Sequence, residues 1–296
     1  MKNLFTGILI CMVLFSCKKE PKVLITPPGT AKGQKYGVSF NLKDFTPEIL
    51  GLKNKQMSEV PLKEKVANLC YIAYNEQGKE VSRIRQNAAG GTSGYSYDEQ
   101  GITGEFSIGP FPFGCFTDSL PSGNYTVVLV ASQAEFGINS YDRTDVSGAD
   151  LNLAYFNYSY IQLENRSRTK DTFFKKFQLK VEGKELTQQV VLERIVAKVE
   201  INILDANPDL AYRFQFVNEY LGMRFDNNTY VDRADDTELG ASGIIRENSK
   251  FSSFILNTDP SIPIDIVIEA YQPPNFRPVI ATKTIKNVPF FKNKVT

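Results

Sequence analysis

A two-residue alternation of polar and apolar side chains in residues 194–203 is the feature that most constrains the fold of this chain. The apolar members are Ile195, Ala197, Val199, Ile201 and Ile203, and the polar ones are Arg194, Lys198, Glu200 and Asn202. Successive side chains of a β-strand point to opposite faces, so this spacing predicts a strand with one buried and one solvated face. A half-buried strand of this length needs a sheet that packs on a second layer.

Strand-like runs recur along the rest of the chain. They occupy residues 36–45, 66–74, 124–132, 212–216 and 262–268, and Gly-, Pro- and Asn-rich turns separate them. The run at 124–132 (NYTVVLVAS) is apolar at most positions, as in a strand buried on both faces. Helical candidates are short, at residues 47–55 and 149–158. The pattern predicts an all-β fold built from β-sandwiches.

The length of 296 residues is typical of two domains. The charged, glycine-containing residues 182–185 (EGKE) lie just before the alternating strand. We therefore predict an N-terminal β-sandwich over residues 36–185 and a C-terminal β-sandwich over residues 186–296.

The first 17 residues have the layout of an export signal. Lys2 precedes an apolar run over residues 4–15, which is shorter than the roughly 20 residues that span a bilayer. The four residues ending at Cys17 (LFSC) resemble the lipobox of bacterial lipoproteins, which implies removal of residues 1–16 and acylation of Cys17, for example with palmitate. Residues 17–35, rich in Lys, Pro and Gly, are then a lipidated tether. An ordinary signal peptide with a chance cysteine is the alternative.

The composition removes most enzyme classes. The chain has no histidine, so it cannot build a Ser-His-Asp triad, a Cys-His pair or an HExxH zinc site. The net charge of +1, with Lys and Arg scattered along the chain, excludes the basic field that nucleic-acid binding requires. We predict no catalytic residues, no cofactor and no nucleic-acid partner.

Two acidic segments are candidate calcium sites. The first contains Asp142, Asp145 and Asp150, and the second contains Asp232, Asp235, Asp236 and Glu238. Neither has the alternating oxygen spacing of an EF-hand loop, and each carries an arginine, so we predict solvated loops without metal. The same carboxylates could form a glycosidase pair, which needs no histidine, although sugar-stacking tryptophan is absent.

Residues 88–104 (AAGGTSGYSYDEQGITG) are rich in glycine but lack the GK[ST] ending of a phosphate loop. We predict a mobile surface loop, in which Tyr95 and Tyr97 are candidates for contact with a partner or a glycan. Cys70 and Cys115 lie in apolar contexts and are either buried thiols or a disulfide. Both possibilities stay open because spacing along the chain does not give the Cα separation.

Four phrases of the sequence carry a family resemblance. They are residues 120–128 (LPSGNYTVV), 190–201 (VVLERIVAKVEI), 286–289 (KNVP) and 293–296 (NKVT). With the lipobox and the strand pattern, they resemble the fimbrillin superfamily of Bacteroidales-type envelopes, most closely its FimB-type and Mfa-type lipoprotein anchor and accessory subunits. The resemblance implies two transthyretin-like Greek-key β-sandwich domains in tandem, and subunits that join by donating a strand to a neighbour.

The chain departs from that family pattern in two places. Shaft subunits are matured by an arginine-specific protease, whereas no arginine lies between Cys17 and Arg83, which favours an uncleaved anchor or accessory subunit. Family members also continue beyond the phrase that ends here at Thr296. We expect either a shortened chain, the interpretation we prefer, or a gap in the second domain that a partner strand fills.

The sequence therefore predicts a lipid-anchored, surface-exposed protein of the cell outer membrane that acts as a fimbrial anchor or accessory subunit in fimbria assembly and cell adhesion. Its expected partners are the lipid bilayer through Cys17, other fimbrial subunits by strand pairing, and host or cell-surface glycans or proteins. The alternative is a glycan-binding surface lipoprotein of a polysaccharide-uptake system.

Overall fold

The computed structural model describes residues 34–45, 62–98, 101–109, 111–140, 150–158, 169–233, 243–245, 250–273 and 278–296. Within these ranges the chain forms nineteen strands and one short helix, α1 (Leu62–Lys65), which confirms the predicted all-β class. The helix predicted at residues 149–158 is wrong, because residues 154–158 form a strand in which Ala154, Phe156 and Tyr158 belong to a buried core cluster. The helix predicted at residues 47–55 lies outside the described residues.

The first sheet has nine strands. In spatial order they are β5 (Gly101–Ser107), β4 (Thr92–Asp98), β3 (Glu80–Asn87), β2 (Asn68–Tyr74), β7 (Gly123–Ser132), β10 (Thr172–Val181), β11 (Leu186–Arg194), β1 (Lys35–Phe45) and β6 (Cys115–Pro121). All neighbours are antiparallel except β1 and β11, which run parallel with Val38 opposite Leu186.

Three smaller sheets contain the remaining strands. The second sheet has the order β15 (Tyr230–Arg233), β14 (Tyr220–Arg224), β9 (Ala154–Tyr158) and β8 (Phe136–Ser140). The third has the order β16 (Gly243–Ile245), β13 (Ala211–Val217), β18 (Ile264–Tyr271) and β19 (Val279–Val288). The fourth pairs β12 (Ala197–Asn202) with β17 (Lys250–Ile255).

The first sheet curls so that its end strands β1 and β6 cover its own middle strands. Phe40 of β1 lies 5.4 Å from Tyr71 of β2 between ring centroids, and Phe116 of β6 lies 5.8 Å from Tyr71. These rings, with Val38, Leu129 and Leu192, belong to the first core. Since each aromatic side chain buries a large apolar area, this cluster holds the two layers together.

The opposite face of β2 and β7 packs against the second sheet and forms the second core. Cys70, Ile72 and Val130 supply one side of this core, and Phe156 and Met223 supply the other. The pattern at residues 124–132 thus correctly predicted a strand buried on both faces. Because β9 pairs directly with β14, with Phe156 opposite Met223, strands from both halves of the chain form one layer.

The alternating residues 194–203 contribute to two cores. Ile195 lies between β11 and β12 and packs in the second core, whereas Ala197 and Val199 of β12 are buried in the third core, formed between the third and fourth sheets. Ile201 and Ile203 pack against that third core while Glu200 is exposed. The predicted alternation is confirmed, but the chain breaks out of strand geometry at residues 195–196.

The predicted domain boundary near residue 185 falls between β10 and β11 of the first sheet. β11 pairs with β1 along most of its length, whereas its backbone pairs with β10 only at Phe173 and Phe174. Residues 186–194 therefore lie in a sheet with strands of the N-terminal half. The division into two tandem sandwiches at residue 185 stays a prediction.

Arg194 connects the end of β11 by hydrogen bonds to Asp171 and to Asn293. Its Nε and Nη2 donate to the two carboxylate oxygens of Asp171 at 2.6 and 2.9 Å, and its Nη1 donates to Asn293 Oδ1 at 2.8 Å. The guanidinium also lies 5.0 Å from the ring centroid of Phe173. The planar guanidinium can donate to both carboxylate oxygens and to the amide oxygen at once. The single ammonium group of a lysine cannot reproduce these three hydrogen bonds in this geometry.

We predict that Arg194→Lys lowers the free energy of unfolding by about 1–3 kcal/mol, because charge is kept while the forked hydrogen bonds are lost. Urea denaturation followed by far-UV circular dichroism measures the change. Lys180→Gln, which breaks the exposed Lys180–Glu182 pair, is the control and should leave the midpoint unchanged. Equal midpoints for Arg194→Lys and wild type would contradict the fastening role.

Candidate interaction surface

The strand β1 fills the groove between β11 and β6. It pairs in parallel with β11 over residues 38–45 and antiparallel with β6 over residues 35–41. Its Val38 and Phe40 are fully buried in the first core. Both edges of β1 are therefore hydrogen-bonded within the chain, and this groove offers no free edge along the paired residues.

The third core is covered unequally on its two sides. Its outer layer is the four-stranded third sheet, whereas its other layer is the two-stranded fourth sheet. Phe214, Phe216 and Ile266 on the inner strands β13 and β18 are at most 3% exposed. The described part of the narrower layer does not reach the end strand, so β19 extends beyond its cover.

β19 is an end strand with exposed side chains on both faces. All of its ten residues are exposed except the last, which is half-buried. Val279, Ile280 and Ile285 are 42%, 50% and 41% exposed, although Ile285 lies opposite the buried Ile266. Among the described residues, β18 is the one strand that pairs with β19. The outer edge of β19 therefore presents backbone groups that have no described strand partner. Such an edge is a template for an added strand.

Residues 293–296 lie along the free edge of β12. Lys198 N donates to Lys294 O and Thr296 N donates to Lys198 O, both at 2.9 Å, which is the start of a parallel pairing. Phe290, just before this segment, is 1% exposed and belongs to the third core. The predicted NKVT phrase thus forms an added edge of the fourth sheet.

The mobile loop predicted at residues 88–104 is wrong, because most of it is the hairpin of β4 and β5. A Cβ on Gly94 would approach the Phe106 ring to 3.0 Å, so this glycine allows close packing. Gly101, with φ of +122°, takes a backbone conformation at the start of β5 that few other residues adopt. The glycine-rich composition of residues 88–104 is equally consistent with close packing in a hairpin and with a mobile loop, so composition alone did not distinguish the two.

The two candidate contact tyrosines have different environments. Tyr97 is buried, and its hydroxyl donates to Glu80 Oε1 at 2.8 Å, while Arg83 holds both Glu80 oxygens at 2.7–2.8 Å. Burial and the Glu80 carboxylate raise the pKa of Tyr97, so the phenol stays a donor. Tyr95 is half-buried with the Arg83 guanidinium 5.3 Å from its ring centroid. Tyr97 is therefore a structural residue, and a surface contact by it was a wrong prediction.

The structure describes few of the predicted calcium ligands. Asp150 is exposed beside the turn before β9, and Asp232 lies in β15. Asp142, Asp145, Asp235, Asp236 and Glu238 lie outside the described residues, so the two acidic segments are not tested as sites. Within the described ranges no three His, Cys, Asp or Glu side chains come together in a group that could hold a metal ion.

Cys70 and Cys115 are both free thiols, which decides between the two possibilities that the sequence left open. Cys70 is completely buried in the second core, and burial raises the pKa of its thiol. A thiol held in its protonated form is a poor nucleophile.

The predicted lipidation residue, Cys17, lies outside the described residues, as do the signal and most of the tether. In the ranges that the structure covers, no helix combines the length and the hydropathy that crossing a bilayer requires.

The described strands form stacked β-sheets, and the end strand β19 has a described partner on one side only. An edge of this kind can accept an added strand. A family model of the fimbrillin-A associated anchor proteins Mfa1 and Mfa2 matches residues 46–277. Because this match spans more than half of the chain, the protein belongs to that family. It is thus a fimbria-associated protein of the cell-envelope surface, from a family that is structural rather than catalytic. No curated protein sequence matches the chain significantly.

Two solved structures align with most of this chain. A candidate adhesin from Bacteroides ovatus aligns with a TM-score of 0.48 at 9% identity, over 85% of this chain and 75% of that protein. A fimbrial assembly protein from Parabacteroides distasonis aligns with a TM-score of 0.36 at 8% identity, over 89% of each chain. The family membership rests on the sequence match alone.

We predict that Tyr97→Phe lowers the free energy of unfolding by about 1–3 kcal/mol, because the buried Glu80 carboxylate loses a donor. Tyr95→Phe removes a hydroxyl from the same strand and keeps the ring next to Arg83, so it should be close to neutral. Urea denaturation of the two variants measures the difference. Equal destabilisation by both changes would contradict the structural role of the Tyr97 hydroxyl.

Proposed function

We propose that this protein is an outer-membrane lipoprotein that anchors or caps a surface fimbria and joins the other fimbrial subunits through strand pairing at β19. The observation that carries the proposal is the open, both-faces-exposed edge of β19 in a chain of the fimbrial anchor family. Backbone pairing along this edge would satisfy the unpaired donors and acceptors of β19.

Membrane attachment is assigned to Cys17. The lipobox resemblance of residues 14–17 supports acylation of this cysteine, and each buried CH₂ of an acyl chain contributes about 0.8 kcal/mol to membrane binding. Residues 18–34 then act as the spacer between the bilayer and β1. The protein is anchored to the membrane surface, with its strands turned toward other envelope components.

The chemistry of β19 indicates what kind of strand pairs with it. Val279, Ile280 and Ile285 present apolar surface, and Lys283 and Lys286 add positive charge to the same strand. An incoming strand that carries both apolar and acidic side chains complements both features. Such a strand would also extend over the uncovered side of the third core.

The groove that holds β1 is assigned a different role. Since β1 pairs on both sides and no arginine lies between Cys17 and Arg83, we propose that β1 is retained in the mature protein. A subunit whose own strand fills this groove receives no strand there. This suits a protein at one end of a fimbria better than one in the repeating shaft.

We predict that the double change Ile280→Lys and Ile285→Lys lowers recovery of fimbrial subunits with the affinity-tagged protein by about tenfold or more, because two apolar contacts are lost from the pairing edge. The measurement is quantitative co-purification from fimbriated cells, with thermal unfolding as the check on folding.

Leu204→Lys is the matched control for that experiment. Leu204 is 90% exposed in a turn outside every sheet, so the same chemical change is made away from β19. Normal co-purification by the β19 variant, or an equal loss with Leu204→Lys, would rule out β19 as the assembly edge.

We predict that Cys17→Ala abolishes incorporation of labelled palmitate and releases the protein from the outer-membrane fraction. The label is the sharper measurement, since an uncleaved leader could hold the variant at a membrane. Cys11→Ala, within the apolar run of the signal, should keep both the label and the location. Persistent labelling of Cys17→Ala would refute acylation at this cysteine.

A further inference from the structure

A cleft of about 310 Å³ lies between the first sheet and the edge of the second sheet. The second sheet ends at β8, whereas the first sheet continues beyond it through β3, β4 and β5. The cleft occupies the step between the two layers. Its polar and aromatic lining includes Asn68, Arg85, Ser93, Glu105, Glu135 and Phe136.

The strand register places the lining side chains on one face. Arg85 of β3 lies opposite Cys70 on one side and opposite Ser93 of β4 on the other. Directly opposite residues of antiparallel strands share a face, so Arg85 and Ser93 are on the same side of the sheet as the second core. Phe136, at the start of β8, supplies the opposing wall.

Arg85 lines this cleft, and only part of its guanidinium is engaged by contacts with Phe136. Its Nη2 donates to the Phe136 carbonyl at 3.1 Å, and its guanidinium lies 5.7 Å from the Phe136 ring centroid. Its Nε is buried and has no acceptor among the described residues, and the Cys70 thiol lies beside the guanidinium. Arg85 as a whole is half-buried and its guanidinium carries five N–H donors, so those Nη donors that face the cleft can bond an oxygen from outside the chain.

The remaining polar groups define the charge and the hydrogen-bonding pattern of the ligand. Glu105 and Glu135 are exposed carboxylates that accept hydrogen bonds, and they oppose the single positive charge of Arg85. Two carboxylates disfavour an anion, and a guanidinium disfavours a cation. A neutral molecule with several hydroxyls can accept from Arg85 and donate to the carboxylates at the same time.

The size of the cleft limits the ligand to one small ring. Ligand pockets have volumes of about 300–1,000 Å³, and this cleft is at the lower end of that range. We propose that the cleft binds a single neutral hexose unit of a glycan, with a sugar hydroxyl beside Arg85 and others beside Glu105 and Glu135. The proposal does not depend on strand pairing at β19.

The test is sugar binding by the full-length protein in a sugar-free zwitterionic detergent, measured by saturation-transfer NMR. The probes are glucose, galactose, mannose and N-acetylglucosamine, with glucuronic acid and N-acetylneuraminic acid as charged comparisons. We expect saturable binding of at least one neutral sugar, with a dissociation constant on the order of millimolar. Arg85→Gln should weaken it at least about tenfold.

A second variant blocks the cleft without removing any side chain. Gly91 lines the cleft, and a Cβ built there meets no atom within 4 Å, so Gly91→Gln adds bulk in open space. Gly104→Gln is the matched control, because Gly104 has equal room on β5 and does not line the cleft. We expect loss of sugar binding with the first change and wild-type binding with the second.

Three results would overturn the assignment. The first is the absence of saturable binding of any neutral sugar by the wild-type protein, and the second is unchanged binding in Gly91→Gln. The third is stronger binding of the acidic sugars than of the neutral ones. Because the measurement uses the isolated protein, it is separate from the co-purification experiment on β19.

Discussion

The burial of β2 and β7 on both faces is the constraint on which the rest of the structure depends. A strand that is apolar on both sides needs a covering layer on each, and a single sheet cannot supply both. The chain solves this by curling β1 and β6 over one face and by placing the second sheet on the other. The second sheet draws β8 and β9 from the first half and β14 and β15 from the second, so this burial also joins the two halves of the chain.

The β19 edge and the cleft beside β8 both result from the way the remaining strands are distributed among the sheets. With the second sheet committed to the central strands, the third core receives the two-stranded fourth sheet as its described cover. This cover, even with residues 293–296 added along β12, is narrower than the four-stranded third sheet, and β19 lies beyond it. The step beside β8 has a similar origin, because a four-stranded layer lies on a nine-stranded one. Both candidate surfaces, the pairing edge and the Arg85 cleft, thus arise where packed layers differ in width.

Patterns of side chains along the sequence predicted the regular strands well, but they predicted the roles of individual residues less well. Alternation identified β12, β13 and β18, because one-sided burial requires a two-residue period. The family resemblance to fimbrial anchor proteins was confirmed by the family match. The loop prediction at residues 88–104 failed because Gly94 serves close packing and Tyr97 is paired with a buried carboxylate. Arg85 was missed altogether, since one arginine in a strand gives no signal until its neighbours are known.

The sequence by itself determined the most regular strands, such as β12, β13 and β18, and the apolar face of each, because side-chain alternation is a local property of an extended backbone. It did not determine which strands pair. The parallel contact of β1 with β11 joins Val38 to Leu186, and the second sheet joins Phe156 to Met223. These pairings depend on contacts between residues far apart along the chain, and the tertiary structure alone decided that β1 is enclosed while β19 is left open.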